Sequence, residues 1–218
     1  MEPIVTFIFY IAIVLFSVVI HEVSHGLMAY ALGDSTAKYA GRLTLNPIPH
    51  IDIFGSIILP LVLAIPAVFG APTIIFGWAK PVPYNPYNLK NQKWGPALVG
   101  AAGPGSNILI AVLFGLVIRF LPMLSLLSSE FIQNFSATLA VIVFLNLGLA
   151  IFNLVPIPPL DGSKMLFSVL PHQWAHIREL LERNGFILLL VFIFFFSQAL
   201  LPVVLFLFSI ITGLARIF

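Results

Sequence analysis

Apolar residues run with little interruption from Ile4 to Leu32, longer than the roughly 20 residues a helix needs to span a bilayer. Gly33 and Asp34 stop the run, as a helix end requires. Residues 34–50 are polar and alternate weakly, a pattern that predicts short strands. Residues 51–76 are apolar again but are broken by Gly55, Pro60, Pro66, Gly70 and Pro72. They predict either one irregular span or a re-entrant hairpin. Residues 77–95 are polar and proline-rich, with Lys80, Lys90 and Lys93. Clean spans follow over about 96–120 and 134–155. The stretch 153–162 (NLVPIPPLDG) holds three prolines and cannot continue a helix; a helix over 162–170 comes next. After polar residues 171–185, a last apolar run from Phe186 to Phe218 is interrupted by Gln198 and Pro202. It predicts one kinked helix or two short ones. The pattern as a whole predicts an all-α integral membrane protein. It would be a polytopic helix bundle with a small β-containing connection after the first helix, forming one membrane-embedded domain over 1–218 without internal repeats.

Composition narrows the class. The chain is 60% apolar and 8% charged, with mean hydropathy +1.09, where a soluble domain carries about 25% charged residues. An ordinary soluble fold and a disordered chain are both excluded. The net charge of +2 is too small and too scattered for nucleic-acid binding. Cysteine is absent, so disulfides, cysteine nucleophiles and thiolate metal sites are excluded, and any metal must be held by His, Asp or Glu. If 51–76 enters and leaves on one side, loops 34–50, 77–95 and 163–185 share a side and hold eight of the ten basic residues. The preference of Lys and Arg for the cytoplasmic face then puts the N-terminus outside and these loops inside. A full crossing by 51–76 would split them.

The candidate chemistry lies inside the first span, where His21, Glu22 and His25 form HEVSH. On a helix, residues i and i+4 share a face. Both imidazoles can then bind one Zn²⁺ while the glutamate acts on water. Ionisable groups at membrane depth are costly and point to function; the competing explanation is a polar cluster that bonds neighbouring helices. Two histidines need a third ligand. The aspartates are Asp34, Asp52 and Asp161. Asp161 lies in a broken segment of the kind tolerated at membrane depth where it lines a cavity, although an N-cap of the next helix is an equal reading on spacing alone. Depth favours the ligand. His21 and His25 lie roughly 10–15 Å from the cytoplasmic end of the first helix at 1.5 Å per residue, and Asn107 about 16 Å into its span from the same face. Asp161 follows a span returning to that face. His172 and His176 also stand four apart, but among Arg178, Glu179, Glu182 and Arg183, which reads as a solvated surface. The phenylalanines of 186–208 read as lipid-facing or packing residues.

HEVSH at 21–25, AAGPGSN at 101–107 and NLVPIPPLDG at 153–162 resemble the three signatures of the site-2 protease family of intramembrane zinc metalloproteases. FGWAKPVPYNP at 76–86 resembles a segment common in its small prokaryotic members, and the chain departs from better-known members in having no room for a PDZ domain and no CBS domain after the core. The resemblance covers about residues 15–170. It implies a Zn²⁺ cofactor held by His21, His25 and Asp161, with Glu22 as general base and Asn107 polarising the scissile carbonyl or holding its oxyanion. The alternative for Asn107 is a helix–helix hydrogen bond. Asn153 could orient a ligand or cap its broken helix. The resemblance also implies small strands over 34–50 and 77–86 that hold an extended substrate. The implied substrate is a transmembrane protein in the lipid bilayer, cut in or near its membrane segment. The implied location is a prokaryotic plasma membrane, multi-pass, with the site open to the cytoplasmic side. The competing classes are a membrane transporter and a metal-binding scaffold without proteolytic activity. A protease needs Glu22, whereas a scaffold needs only the ligands.

Overall fold

The protein is described by a computed structural model covering residues 3–68, 77–123 and 128–214. Helix α1 runs over Pro3–Ala31 and closes at Gly33, whose φ of 107° suits glycine. A short helix α2, Thr36–Tyr39, follows, then a 3-10 turn at Ile48–His50. A π-helical turn, Ile53–Ile58, leads into α3, Leu59–Val68. Residues 77–85 form no regular element and lead into a 3-10 turn at Pro86–Asn88. Two long helices come next, α4 at Gly95–Phe120 and α5 at Ser129–Asn153. Then follow α6 at Asp161–Val169, α7 at Ala175–Phe195 and α8 at Leu201–Thr212.

Among the described residues, three stretches are long and apolar enough to cross a membrane, Ile8–Ala31, Gly95–Met123 and Ser129–Asn153, and a fourth is reached if the bent pair Ala175–Phe195 and Ser197–Thr212 is one span. The last apolar run is two helices, because the chain turns by 70° between α7 and the segment Ser197–Thr212. Helix α4 is the centre of the bundle and packs on α1, α5, α6 and α8. Lipid is as apolar as leucine, so helices in a bilayer associate by close packing and polar bonds rather than by the hydrophobic effect. Small residues serve this here. Ala111 and Ala140 interleave with Ile118, Leu139, Val143, Leu147, Val204 and Phe208 where α4, α5 and α8 meet. The outward faces carry large apolar side chains such as Leu109, Phe194 and Phe195.

One expectation changes. Among the described residues there is no strand, so the small β connection is not present. The reason lies in local bonding. Asp34 accepts from the backbone N–H and the hydroxyl of Thr36, which winds residues 36–39 into a helix. Pro47 and Pro49 then confine the chain to a turn. Residues 77–85 include Pro81 and Pro83, which cannot donate to a ladder. Other amides of the segment go to separate places: Trp78 N to Gly55 O, Lys80 N to His50 O, Val82 N to Glu22 and Asn85 N to Asp34. A substrate edge in 34–50 is therefore absent. For 51–76 the pattern allowed one irregular span or a re-entrant hairpin, and the two ends of the segment lie together. Gly55 lies against the Trp78 ring, where a Cβ would collide with it, and the Ser56 hydroxyl donates to Trp78 O at 2.8 Å. Gly55 and Trp78 thus meet at one point; residues 69–76, on which the choice between a span and a re-entrant hairpin falls, lie outside the described residues.

Candidate metal centre

One turn of α1 separates His21 from His25, so both rings emerge on the face packed against α4, 4.7 Å apart between centroids and nearly perpendicular. Each ring is fixed by a partner on α4. His25 Nδ1 donates to Val99 O at 2.6 Å; a backbone carbonyl can only accept, so the proton sits on Nδ1. His21 Nδ1 lies 2.6 Å from Asn107 Oδ1. Both Nε2 atoms then turn toward Asp161, whose Oδ2 is 3.0 Å from each. All three side chains are buried, at 6% exposure. Gly103 makes room for them: a Cβ there would lie 2.5 Å from His25 Nε2 and 2.6 Å from His21 Nε2.

Asp161 is the first residue of α6, and the capping position is Leu160. Its side chain therefore does not serve as the cap that spacing alone allowed. Its second oxygen accepts from Lys164 Nζ at 2.8 Å, and that ammonium also lies over the Tyr84 ring. With both Nδ1 atoms protonated, two imidazole lone pairs and a carboxylate oxygen face one another. Such a triad repels itself unless a proton or a metal cation lies between. Donors 2.0–2.1 Å from a tetrahedral zinc are roughly 3.3 Å apart, so the 3.0 Å spacing and the His₂Asp donor set fit a zinc ion.

Glu22 is half-buried beside the two histidines, and the ligand atoms of the three lie within 4.8 Å of one another. Its Oε2 accepts from Val82 N at 2.9 Å. Asn107 is fully buried, and its amide nitrogen donates to Ser17 O and to Asn146 Oδ1. This arrangement leaves no free N–H for an oxyanion. Asn153 donates to Leu149 O in the last turn of α5 and, among the described residues, bonds no ligand side chain.

The other aspartates are engaged elsewhere. Asp52 accepts from Gly55 N at 2.7 Å and caps its turn. Asp34 is fully buried; its oxygens accept from Thr36, from Asn88 Nδ2 at 2.9 Å and from Asn85 N at 2.6 Å. Burial works to raise its pKa, but these donors outweigh it and hold the carboxyl below the usual range. His176 is exposed at the start of α7, where Arg178 pairs with Glu182 on the surface. Sequence reasoning did not single out Ser17, Val82, Gly103, Asn146 or Lys164. Ser17 and Asn146 carried a usable signal, since polar side chains within a span mark helix contacts. Val82 contributes only its backbone and carried none. Lys164 also lines a cavity of about 900 Å³ with Tyr84, Pro158, Phe167, Trp174 and Arg178, so open space adjoins the Asp161 side of the centre.

Comparison with known proteins places this geometry in a family. The model of peptidase family M50 matches residues 121–196, a stretch that includes Asn153 and Asp161. A Bacillus subtilis protein that carries the provisional name zinc metalloprotease YwhC is 39% identical over 180 residues, 80% of this chain and 75% of that protein. The Mycolicibacterium smegmatis protein provisionally named zinc metalloprotease Rip2 is 30% identical over 85% of this chain and 66% of its own. Rip2 of Mycobacterium tuberculosis is 29% identical over 73% and 56%. No solved structure matches the chain with significance. The Bacillus protein is this similar over four fifths of the chain and three quarters of its own length, and on that ground the chain belongs to peptidase family M50, the site-2 protease family.

Proposed function

We propose that the chain is an intramembrane zinc metalloprotease that hydrolyses peptide bonds in or near transmembrane segments of other proteins. The observation that carries this reading is the convergence of His21 Nε2, His25 Nε2 and Asp161 Oδ2 at 3.0 Å, with the Nδ1 protons turned away. The zinc in the names of the relatives supports the choice of metal, although a His₂Asp set also suits other divalent ions. In this reading those three residues hold the ion. When bound, zinc polarises a carbonyl and brings the pKa of a water toward 7. Glu22, held by the Val82 amide, takes the proton from the attacking water and delivers it to the leaving amine. A substrate helix must open first, because a closed helix engages its carbonyls in its own hydrogen bonds. The same reading puts the protein in a prokaryotic plasma membrane with the N-terminus outside. The cavity beside Lys164, bordered by Lys93 and Arg178, then opens to the cytoplasm and admits water.

The test is co-expression with a tagged single-pass membrane protein, comparing wild type with Glu22→Gln. Cleavage within the membrane segment by wild type, and its loss in a variant that still holds one zinc per chain, is the expected result. Cleavage retained by Glu22→Gln would remove Glu22 from the mechanism.

A further inference from the structure

We propose that Ser17 and Asn146 are positioning residues of the metal centre, the far end of a one-directional chain of buried hydrogen bonds that holds the His21 proton on Nδ1 and leaves Nε2 as a bare lone pair. The inference rests on the reading of His21 as a metal ligand and assigns residues that act through it.

The direction of the chain follows from two backbone carbonyls. Asn146 lies on α5 and is fully buried. Its amide nitrogen donates to Ile142 O at 2.9 Å and to the Ser17 hydroxyl at 3.0 Å. A carbonyl cannot donate, so the NH₂ group must face Ile142, and Oδ1 must face Asn107. Asn107 Nδ2 donates to that Oδ1 at 2.9 Å and to Ser17 O at 3.3 Å. The second carbonyl fixes this amide too. Turning either amide over would set oxygen against oxygen in an apolar interior where no water can compensate. Asn107 Oδ1 is thereby the acceptor at 2.6 Å from His21 Nδ1, and the ring must donate.

His25 needs one backbone carbonyl for the same result. His21 reaches it through three side chains on α1, α4 and α5. The chain therefore couples the imidazole to the packing of the three helices long enough to span a membrane. Outer partners of metal-bound histidines set tautomer and ring orientation, and their loss typically lowers metal affinity 10–100-fold.

The experiment uses the full chain in detergent. Zinc affinity is measured by competition with a chromophoric chelator, the His21 tautomer by ¹⁵N NMR of the metal-free protein, and folding by thermal melting. Asn146→Leu should weaken zinc binding about 10–100-fold and give His21 a mixture of Nδ1–H and Nε2–H tautomers, as Asn107→Leu, which removes the direct acceptor, should. Cleavage should recover as zinc is raised to saturation. Ser17→Ala, a milder change, should shift affinity and tautomer the same way by less, and decides the matter alone if Asn146→Leu does not fold. Folded variants with unchanged zinc affinity and an unchanged Nδ1–H tautomer would overturn the proposal and leave these residues as helix contacts. A wild-type chain that binds no zinc would overturn it differently, by removing the metal centre on which it rests.

Discussion

Asp34 and Asp161 are both buried carboxylates at helix ends, and they differ in what faces them. Asp34 sits just after α1 among donors: the backbone N–H groups of Thr36 and Asn85, the Thr36 hydroxyl and the Asn88 amide. Its charge is satisfied by its own chain, and the bonds tie segment 85–88 to the end of α1. Asp161 presents one oxygen to a lysine and the other to two imidazole nitrogens, which the Nδ1 bonds leave as acceptors. The first site is closed without a ligand. The second needs a proton or a metal cation between its acceptors. Burial alone does not mark a metal ligand; the donor or acceptor character of the facing atoms does.

That contrast can be broken at either end. The largest effect is expected from Asp161→Asn, which removes an anionic ligand. Zinc content should fall from one per chain toward zero, and cleavage should fall with it, as metal analysis of the purified protein would record. Val82→Pro should come next. It removes the N–H that holds Glu22 at a position that already lies between Pro81 and Pro83. A hydrogen bond to a charged group contributes about 1.5–3 kcal/mol, so cleavage should drop roughly 10- to 100-fold with zinc content unchanged. A parallel loss of zinc would show that the segment supports the whole centre rather than the base. The smallest effect on chemistry is expected from Asp34→Asn, with zinc retained and stability lowered by about 1–3 kcal/mol. The pH dependence should separate the two proteins. The folded pKa of Asp34 lies below its unfolded value near 3.9. Its contribution is therefore complete above that value and is lost as pH falls through the folded pKa. Wild type should lose this increment on acidification below about pH 4, and Asp34→Asn should not. Equal acid sensitivity in thermal melts would mean that Asp34 is not charged in the folded state.

The legibility of the chain divides along the same line. The spans over α1, α4 and α5 followed from runs of apolar residues, because a bilayer sets a minimum length that composition alone can meet. HEVSH was legible because one helical turn places residues i and i+4 together whatever surrounds them. Asp161 needed a further step, the comparison of depths along three spans. The strands expected over 34–50 were not found, since weak alternation says nothing about where amides go, and here Asp34 and the prolines redirect them.

By itself, then, the sequence determined that the protein is a polytopic membrane chain with His21, Glu22 and His25 on one helical turn. Both follow from local periodicity and from the cost of charge in lipid. The tertiary structure decided which aspartate meets the imidazoles, which amide holds Glu22, and which way Asn107 and Asn146 turn. Those outcomes depend on contacts between residues as far as 140 positions apart, and only the packing of α1, α5 and α6 on α4 brings them within hydrogen-bonding reach.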